Sequence, residues 1–296
     1  VAGVPGSSTQ LYHNSISLTG DRGAVASQIG SYGVAISGSN PTVELKNNIF
    51  YTTQIASGGG ANAKSYAIGT ASTTFTNMDS NFNDFFASGA NAGGFRTASL
   101  DTTGTDFATL AAWQTATTKD ANSLGVDPLY INSASDLHVQ PTSPPVSAGT
   151  PLAGVTNDFD NDPRPASSPD IGADELVQAT AGSFAAGTYY NASANGGDSL
   201  AGNVTITNTL YLGGTLSTGA NTLTIGCNGF VSGASATNYV IGNLARSYCV
   251  TGGKAFDVGT ANGYSPVNVN ATAGTFPATF TVKAVQGPQP SVNPAT

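Results

Sequence analysis

Short runs that alternate apolar and polar residues recur along this chain, and nearly every one stops at Gly, Asn, Ser or Asp. Near the start they read "QLYHNSISLTG" (10–20), "YGVAISGS" (32–39) and "TVELKNNIFYTT" (42–53). Alternation over four to six positions is the pattern of a half-buried strand, and the residues that stop each run are turn formers. Glu, Lys and Leu are scarce while Gly supplies 37 of 296 residues, so the helix-forming vocabulary is nearly missing. The chain is therefore expected to be all-β. Its 13 Phe and 11 Tyr, with many Val, Ile and Leu, supply an ordered core despite the low charge.

Asn14 precedes Ile16 and Leu18 much as Asn48 precedes Ile49. Asn recurring in turns is the habit of a parallel β-solenoid, where like residues of successive coils lie over one another and share side-chain hydrogen bonds. With coils of 15 to 20 residues, Asn14 and Asn48 would sit two coils apart.

Charge is placed unevenly. Residues 1–179 hold 15 acids and 6 bases, a net −9, and residues 180–296 hold 2 acids and 3 bases, a net +1, which together give the −8 of the whole chain. Nine basic residues without a cluster leave no electrostatic footprint for nucleic acid. No stretch has the 18 or more apolar residues of a membrane-spanning helix, so membrane insertion is not expected. The opening "VAGVPGSSTQ" carries neither the charged nor the apolar region of a signal peptide, and any such peptide is expected to have been removed. A polar, weakly charged β chain suits an extracellular or cell-surface protein. In that setting Cys227 and Cys249 are expected to pair, a cross-link worth about 3 kcal/mol for a loop of this size; two separate buried thiols are the alternative.

The charge concentrates in "DFDNDPRPASSPDIGADE" (158–175), where Asp158, Asp160, Asp162, Asp170, Asp174 and Glu175 surround Arg164. Asp158, Asp160 and Asp162 alternate as hard oxygen ligands can, which makes Ca²⁺ the one cofactor to consider. An EF-hand is excluded, because its sixth and twelfth positions, counted from Asp158, hold Pro163 and Pro169. The competing reading is structural: Arg164, stiffened between two prolines, forms an ion pair with Asp170 or Asp174 and closes off the fold. His13 and His138 read as packed or hydrogen-bonded rather than catalytic, and no Asp pair recurs at a coil interval as a polysaccharide hydrolase would need.

Residues 75–176 carry a series of motifs in a fixed order: "NFND" (81–84), "LAAW…DANS" (110–123), "DPLY" (127–130), "DLHV" (136–139), "SPPVSAG" (143–149) and the acidic stretch itself. In this order they resemble the C-terminal end of right-handed parallel β-helix domains of the pectate-lyase-like type found in large secreted bacterial proteins. The resemblance implies a short right-handed parallel β-helix of few coils over 1–176, with the acidic stretch as its closing signature and the "DLHV" histidine structural. The charge-poor remainder, with "GNVTITNTLYLGG" and "NYVIGNLARSYCVTGGKAFDVG", resembles β-rich modules of bacterial surface proteins and adhesins, with Asp257 where their pattern has Pro. It is expected to form an antiparallel β-sandwich over 185–285, after a linker at 177–184 and before an extended Pro-rich tail at 286–296. Its Asn191, Asn203 and Asn270 sequons are the kind an Asn- and Thr-rich chain produces by chance.

The function these features imply is a non-enzymatic structural role in a surface fibre, filament or adhesin. The partners would be further copies joined head to tail through a sheet edge or the tail, or other surface proteins. The alternative is a module that binds or cleaves glycans.

Overall fold

A computed structural model of the chain describes residues 1–24, 29–38 and 40–287. It divides into two compact units, Val1–Leu176 and Val177–Thr296. In both, the regular secondary structure is almost wholly β-strand. The extended tail expected at 286–296 falls mainly on residues 288–296, outside the described residues.

In the first unit the chain repeats a three-strand circuit. Its first pass lays down β1 (Ala2–Gly3), β2 (Ser8–Tyr12) and β3 (Ser15–Leu18); the second β4 (Ser31–Gly38), β5 (Thr42–Lys46) and β6 (Ile49–Thr52); the third β7 (Ser65–Thr70), β8 (Met78–Asn81) and β9 (Asp84–Ala87). Strands of equal rank pair in parallel, giving sheets β2-β5-β8 and β3-β6-β9 and a third that runs β1-β4-β7 before continuing to β10 (Ala92–Thr97) and β11 (Thr105–Phe107). Each circuit advances one sheet position for 34 or 35 residues. Asn14 and Asn48 are therefore one coil apart rather than two, because a circuit holds three strands and their turns.

Parallel, in-register pairing places like side chains on like. Tyr32 pairs with Tyr66, Phe50 with Phe85 and Tyr51 with Phe86, and the rings of each pair stack at 4.9, 5.6 and 5.2 Å between centroids. Aromatic pairs of this kind contribute ~0.5–1.5 kcal/mol each beyond their buried area. The core between the sheets consists of Val34, Ile36, Val43, Leu45, Phe50, Ile68 and their neighbours. Its far end is closed by helix α1 (Leu110–Thr117), capped by the Thr109 hydroxyl and stopped by Thr118 in the left-handed conformation. Trp113, the only tryptophan, is fully buried and stacks on Phe95 at 5.4 Å.

The turn between the second and third strands of each circuit has one construction. His13, Asn47 and Phe82 take positive φ (51°, 57° and 56°), and each is followed by an asparagine. Asn14 donates its backbone and side-chain N–H groups to Asn48 Oδ1, and Asn48 donates the same pair to Asn83 Oδ1, all at 2.9–3.0 Å. Asn83 in turn donates its backbone N–H to Ser123 Oγ at 2.9 Å. The ladder ends at Asp120, which accepts from Ser80 and Ser123 on Oδ1 and from Trp113 Nε1 on Oδ2. "LAAW…DANS" is thus the terminus of the asparagine ladder.

From there the chain doubles back. A hairpin of β12 (Tyr130–Asn132) and β13 (Asp136–Val139) precedes the closing stretch. That stretch lies against the flank of the stack, on β3 and β6, rather than across its end. Ser15 Oγ accepts from Ala173 N at 2.9 Å, Asn47 O accepts from Gly172 N at 2.8 Å, and Asn47 exchanges side-chain hydrogen bonds with Thr150. Gly172, at φ 107°, has no room for a Cβ, which would come within 2.7 Å of Ile49 Cδ1.

The second unit is not an antiparallel sandwich. β14 (Val177–Gln178), β16 (Gly187–Ala194), β18 (Val204–Leu212), β19 (Leu216–Ile225), β21 (Val240–Tyr248) and β23 (Val258–Thr260) pair successively in parallel. β15 (Ser183–Phe184) pairs in parallel with β17 (Asp198–Leu200), and β17 with β19, while β20 (Phe230–Ser232) adds to β18. Residues 177–184, expected as a linker, therefore carry the first strands of this unit. Antiparallel pairing joins β22 (Gly252–Phe256) to β25 (Val267–Ala271), β24 (Gly263–Tyr264) to β23, and β26 (Ala278–Val282) to β21. The physical reason is that alternation reports one buried face and not strand direction; Gly- and Asn-bearing turns bend a coil as readily as a hairpin. Leu210, Leu216, Leu223, Ile225, Val240 and Leu244 fill the core. Cys227 and Cys249 form the expected disulfide, with Cα atoms 5.6 Å apart. Asn191 is buried and accepts from Thr209 N and Asn208 Nδ2, so the first sequon is a coil contact.

Candidate functional site

The acidic stretch and the β12-β13 hairpin together hold the densest set of charged groups in the first unit. At its centre the Arg164 side chain is 3% exposed. Its partner is neither Asp170 nor Asp174. NH1 meets Glu175 Oε2 at 3.0 Å, NH2 donates to the carbonyls of Gly172 and Ala173 at 3.0 and 2.8 Å, and Asp170 offers only its backbone oxygen at 3.5 Å. Asp170 is engaged elsewhere: its two oxygens accept from Ser147 N and Leu176 N. Asp174 Oδ2 accepts from Val139 N at 2.8 Å. The longer Glu175 side chain reaches the guanidinium, and it also accepts from Asp170 N at 2.8 Å.

Asp158, Asp160 and Asp162 do not converge on a common point as Ca²⁺ ligands. Asp158 serves as a backbone clamp, accepting from Asp160 N and Asp162 N on Oδ1 and from Glu175 N on Oδ2. Asp160 turns instead toward His138, 2.7 Å from its Nε2. The other imidazole nitrogen, Nδ1, is hydrogen-bonded to Asp136. Among the described residues, the one group of three ligand-bearing side chains that comes together is His138, Asp160 and Asp174, whose ligand atoms lie within 4.8 Å of one another.

Burial governs the electrostatics. Burial, reinforced by Asp158, pushes Asp170 up to about 6 and Asp174 up to about 7, with the backbone donors pulling the other way. Burial and the neighbouring Asp170 raise Glu175, opposed by Arg164. His138 is raised by Asp136 and Asp160 against the effect of its burial. His13 shows the opposite behaviour: burial and then Arg164 hold it down to about 4. The Asn47 amide donates to His13 Nε2 at 2.9 Å and Gly172 O lies 3.3 Å from Nδ1, which assigns the proton of a neutral ring to Nδ1.

Reading the sequence alone misses two of these roles. Glu175 lies inside the quoted stretch but is passed over in favour of the aspartates. The Asp136-x-His138 spacing carries a usable signal, because residues i and i+2 of a strand share a face.

At this level the molecule is defined as a nearly all-β protein of parallel sheets with one disulfide, with a cluster of charged groups in a closing segment packed on the flank of the first unit. No family model, no curated protein and no solved structure matches the chain.

Proposed function

We propose that the chain is a non-enzymatic structural segment of an extracellular or cell-surface fibre, filament or adhesin. On this reading Val1–Leu176 is a short right-handed parallel β-helix of the pectate-lyase-like kind. The second unit is a scaffold of parallel strands in its own right, braced by the Cys227–Cys249 disulfide.

The observation that carries the reading is a sheet edge. Among the described residues β2 and β3 each pair on one side only, with β5 and β6, so the opposite side of both strands presents backbone groups to which a further strand can add. The stack behind that edge is stiffened by the asparagine ladder and by like-on-like aromatic stacking, which suits a protein that transmits load rather than one that moves. At the other end of the sequence, β26 lies antiparallel on β21 with three of its five residues exposed, a strand that another copy could take up. Contacts between unlike ends build open filaments wherever the rotation between copies does not close a ring.

Deleting residues 275–296 tests the tail half of this reading. Loss of polymers while circular dichroism shows the second unit still folded supports it, and polymers that survive the deletion refute it. A glycan-binding role is the second reading. In its favour is a polar cavity of about 380 Å³ lined by Asp127, Tyr130, Asn132, Ser133 and Gln140. Glycan-array binding by a monomer would favour it over the first.

A further inference from the structure

We propose that His138, Asp160 and Asp174 bind one divalent transition-metal ion of the zinc class through Nε2 and two carboxylates.

The three ligands come from separate parts of the closing segment: His138 from β13, Asp160 from the turn that Asp158 clamps, and Asp174 from the stretch packed on β3. Their ligand atoms already lie within 4.8 Å of one another. In a tetrahedral site with bonds of ~2.0 Å, neighbouring ligand atoms stand ~3.3 Å apart. The 2.7 Å between His138 Nε2 and Asp160 Oδ2 thus opens by about half an ångström when an ion enters between them. Asp160 belongs to a partly exposed turn that can give this much.

Each ligand is held in place by another group. Asp136 engages His138 Nδ1, which fixes the ring and turns Nε2 toward the two carboxylates, the arrangement in which an outer carboxylate supports an imidazole bound to a metal. Phe159 packs on the same ring, with 5.1 Å between centroids. The Val139 N–H orients Asp174. A cavity of about 290 Å³, lined by Ser15, Asp136, Phe159 and Ala173, reaches His138 of the cluster.

Local charge points the same way. Acidic groups outnumber basic ones here: Asp136 and Asp160 flank His138, Asp158, Asp170, Asp174 and Glu175 lie close by, and Arg164 is already committed to Glu175. A dication offsets this excess. One imidazole with two carboxylates suits zinc-class ions, whereas Ca²⁺ takes six to eight oxygens. The inference stands apart from the proposed structural role, since it concerns how the closing segment is fastened.

The test is isothermal titration of the full chain with ZnCl₂ after EDTA treatment and dialysis, repeated with CaCl₂. The expected result is 1:1 zinc uptake that H138Q and D160N each weaken at least 30-fold, and D136N about 10- to 100-fold, as loss of an outer-shell partner does. Asp160 is not part of the core, so D160N keeps the test valid if H138Q fails to fold; near-ultraviolet circular dichroism checks both. No stoichiometric zinc uptake, uptake unchanged in D160N, or calcium bound more tightly than zinc would each overturn the proposal.

Discussion

Replacing Arg164 with methionine tests how the closing segment is held. Its guanidinium is almost wholly removed from solvent and makes contacts of 3.0 Å or less with Glu175, Gly172 and Ala173. Methionine fills much of the volume but leaves the Glu175 side chain, itself 4% exposed, and two carbonyls without their donor. Removing one partner of a buried pair costs about 3–5 kcal/mol, because Glu175, already raised by burial, must either stay charged without its cation or take up a proton. For a unit of this size each kcal/mol moves the melting point by roughly 2–4 °C, so the first unit should melt about 6–20 °C lower. Trp113 reports it directly, since it is the only tryptophan and lies in that unit. Urea unfolding at pH 8 in EDTA, followed by its fluorescence, gives the free energy. Arg164→Lys should recover only part of the loss, as an ammonium lacks the planar fork that reaches an acid and two carbonyls at once. The double variant with Glu175→Gln should cost less than the sum of the singles, because it leaves no charge behind. A loss under 1 kcal/mol for Arg164→Met, or strict additivity in the double variant, would refute this account of the closing segment.

Asn48→Ala should destabilise the first unit by about 3 kcal/mol or more and Asn14→Ala by markedly less, since Asn48 is fully buried between two rungs of the ladder and Asn14 has one ladder neighbour; urea midpoints compare them. Asp84 is buried with Oδ2 unpartnered and is raised by burial to about 7. A carboxyl raised on folding contributes stability in full below its unfolded value near 4 and loses it as pH climbs through about 7. Thermal scans from pH 4.5 to 8.5 should therefore show a decline that Asp84→Asn flattens. Arg246 is 6% exposed with Nε and NH1 unpartnered, and burial lowers its pKa. Arg246→Met should raise the stability of the second unit by roughly 1 kcal/mol or more, measured by urea unfolding with circular dichroism. Reducing Cys227–Cys249 should lower it by about 3 kcal/mol in the same assay.

How far the sequence could be read depended on which kind of signal each feature carried. Asn14 and Asn48 pointed to stacked turns because an amide in a parallel stack has a like partner above and below, and the ladder is there. Their spacing misled, since nothing local says how many strands a circuit holds. The second unit showed its strands but not their direction: runs such as "VTITNTLYL" alternate identically in a hairpin and in a coil. In the closing stretch the charge marked the right place. The pairing escaped because nothing local says that backbone N–H groups claim Asp170 and Asp174 and leave the longer Glu175 to reach Arg164. His138 escaped because its partners lie two residues away in Asp136 and far along the chain in Asp160.

The structural role stands or falls on whether the native protein associates end to end. Negative-stain electron microscopy of purified native material, with sedimentation velocity on the same sample, measures this directly. The account predicts repeating fibres and a concentration-dependent series of species above the 29.5 kDa monomer. A single monomeric species without fibres at every concentration would contradict it.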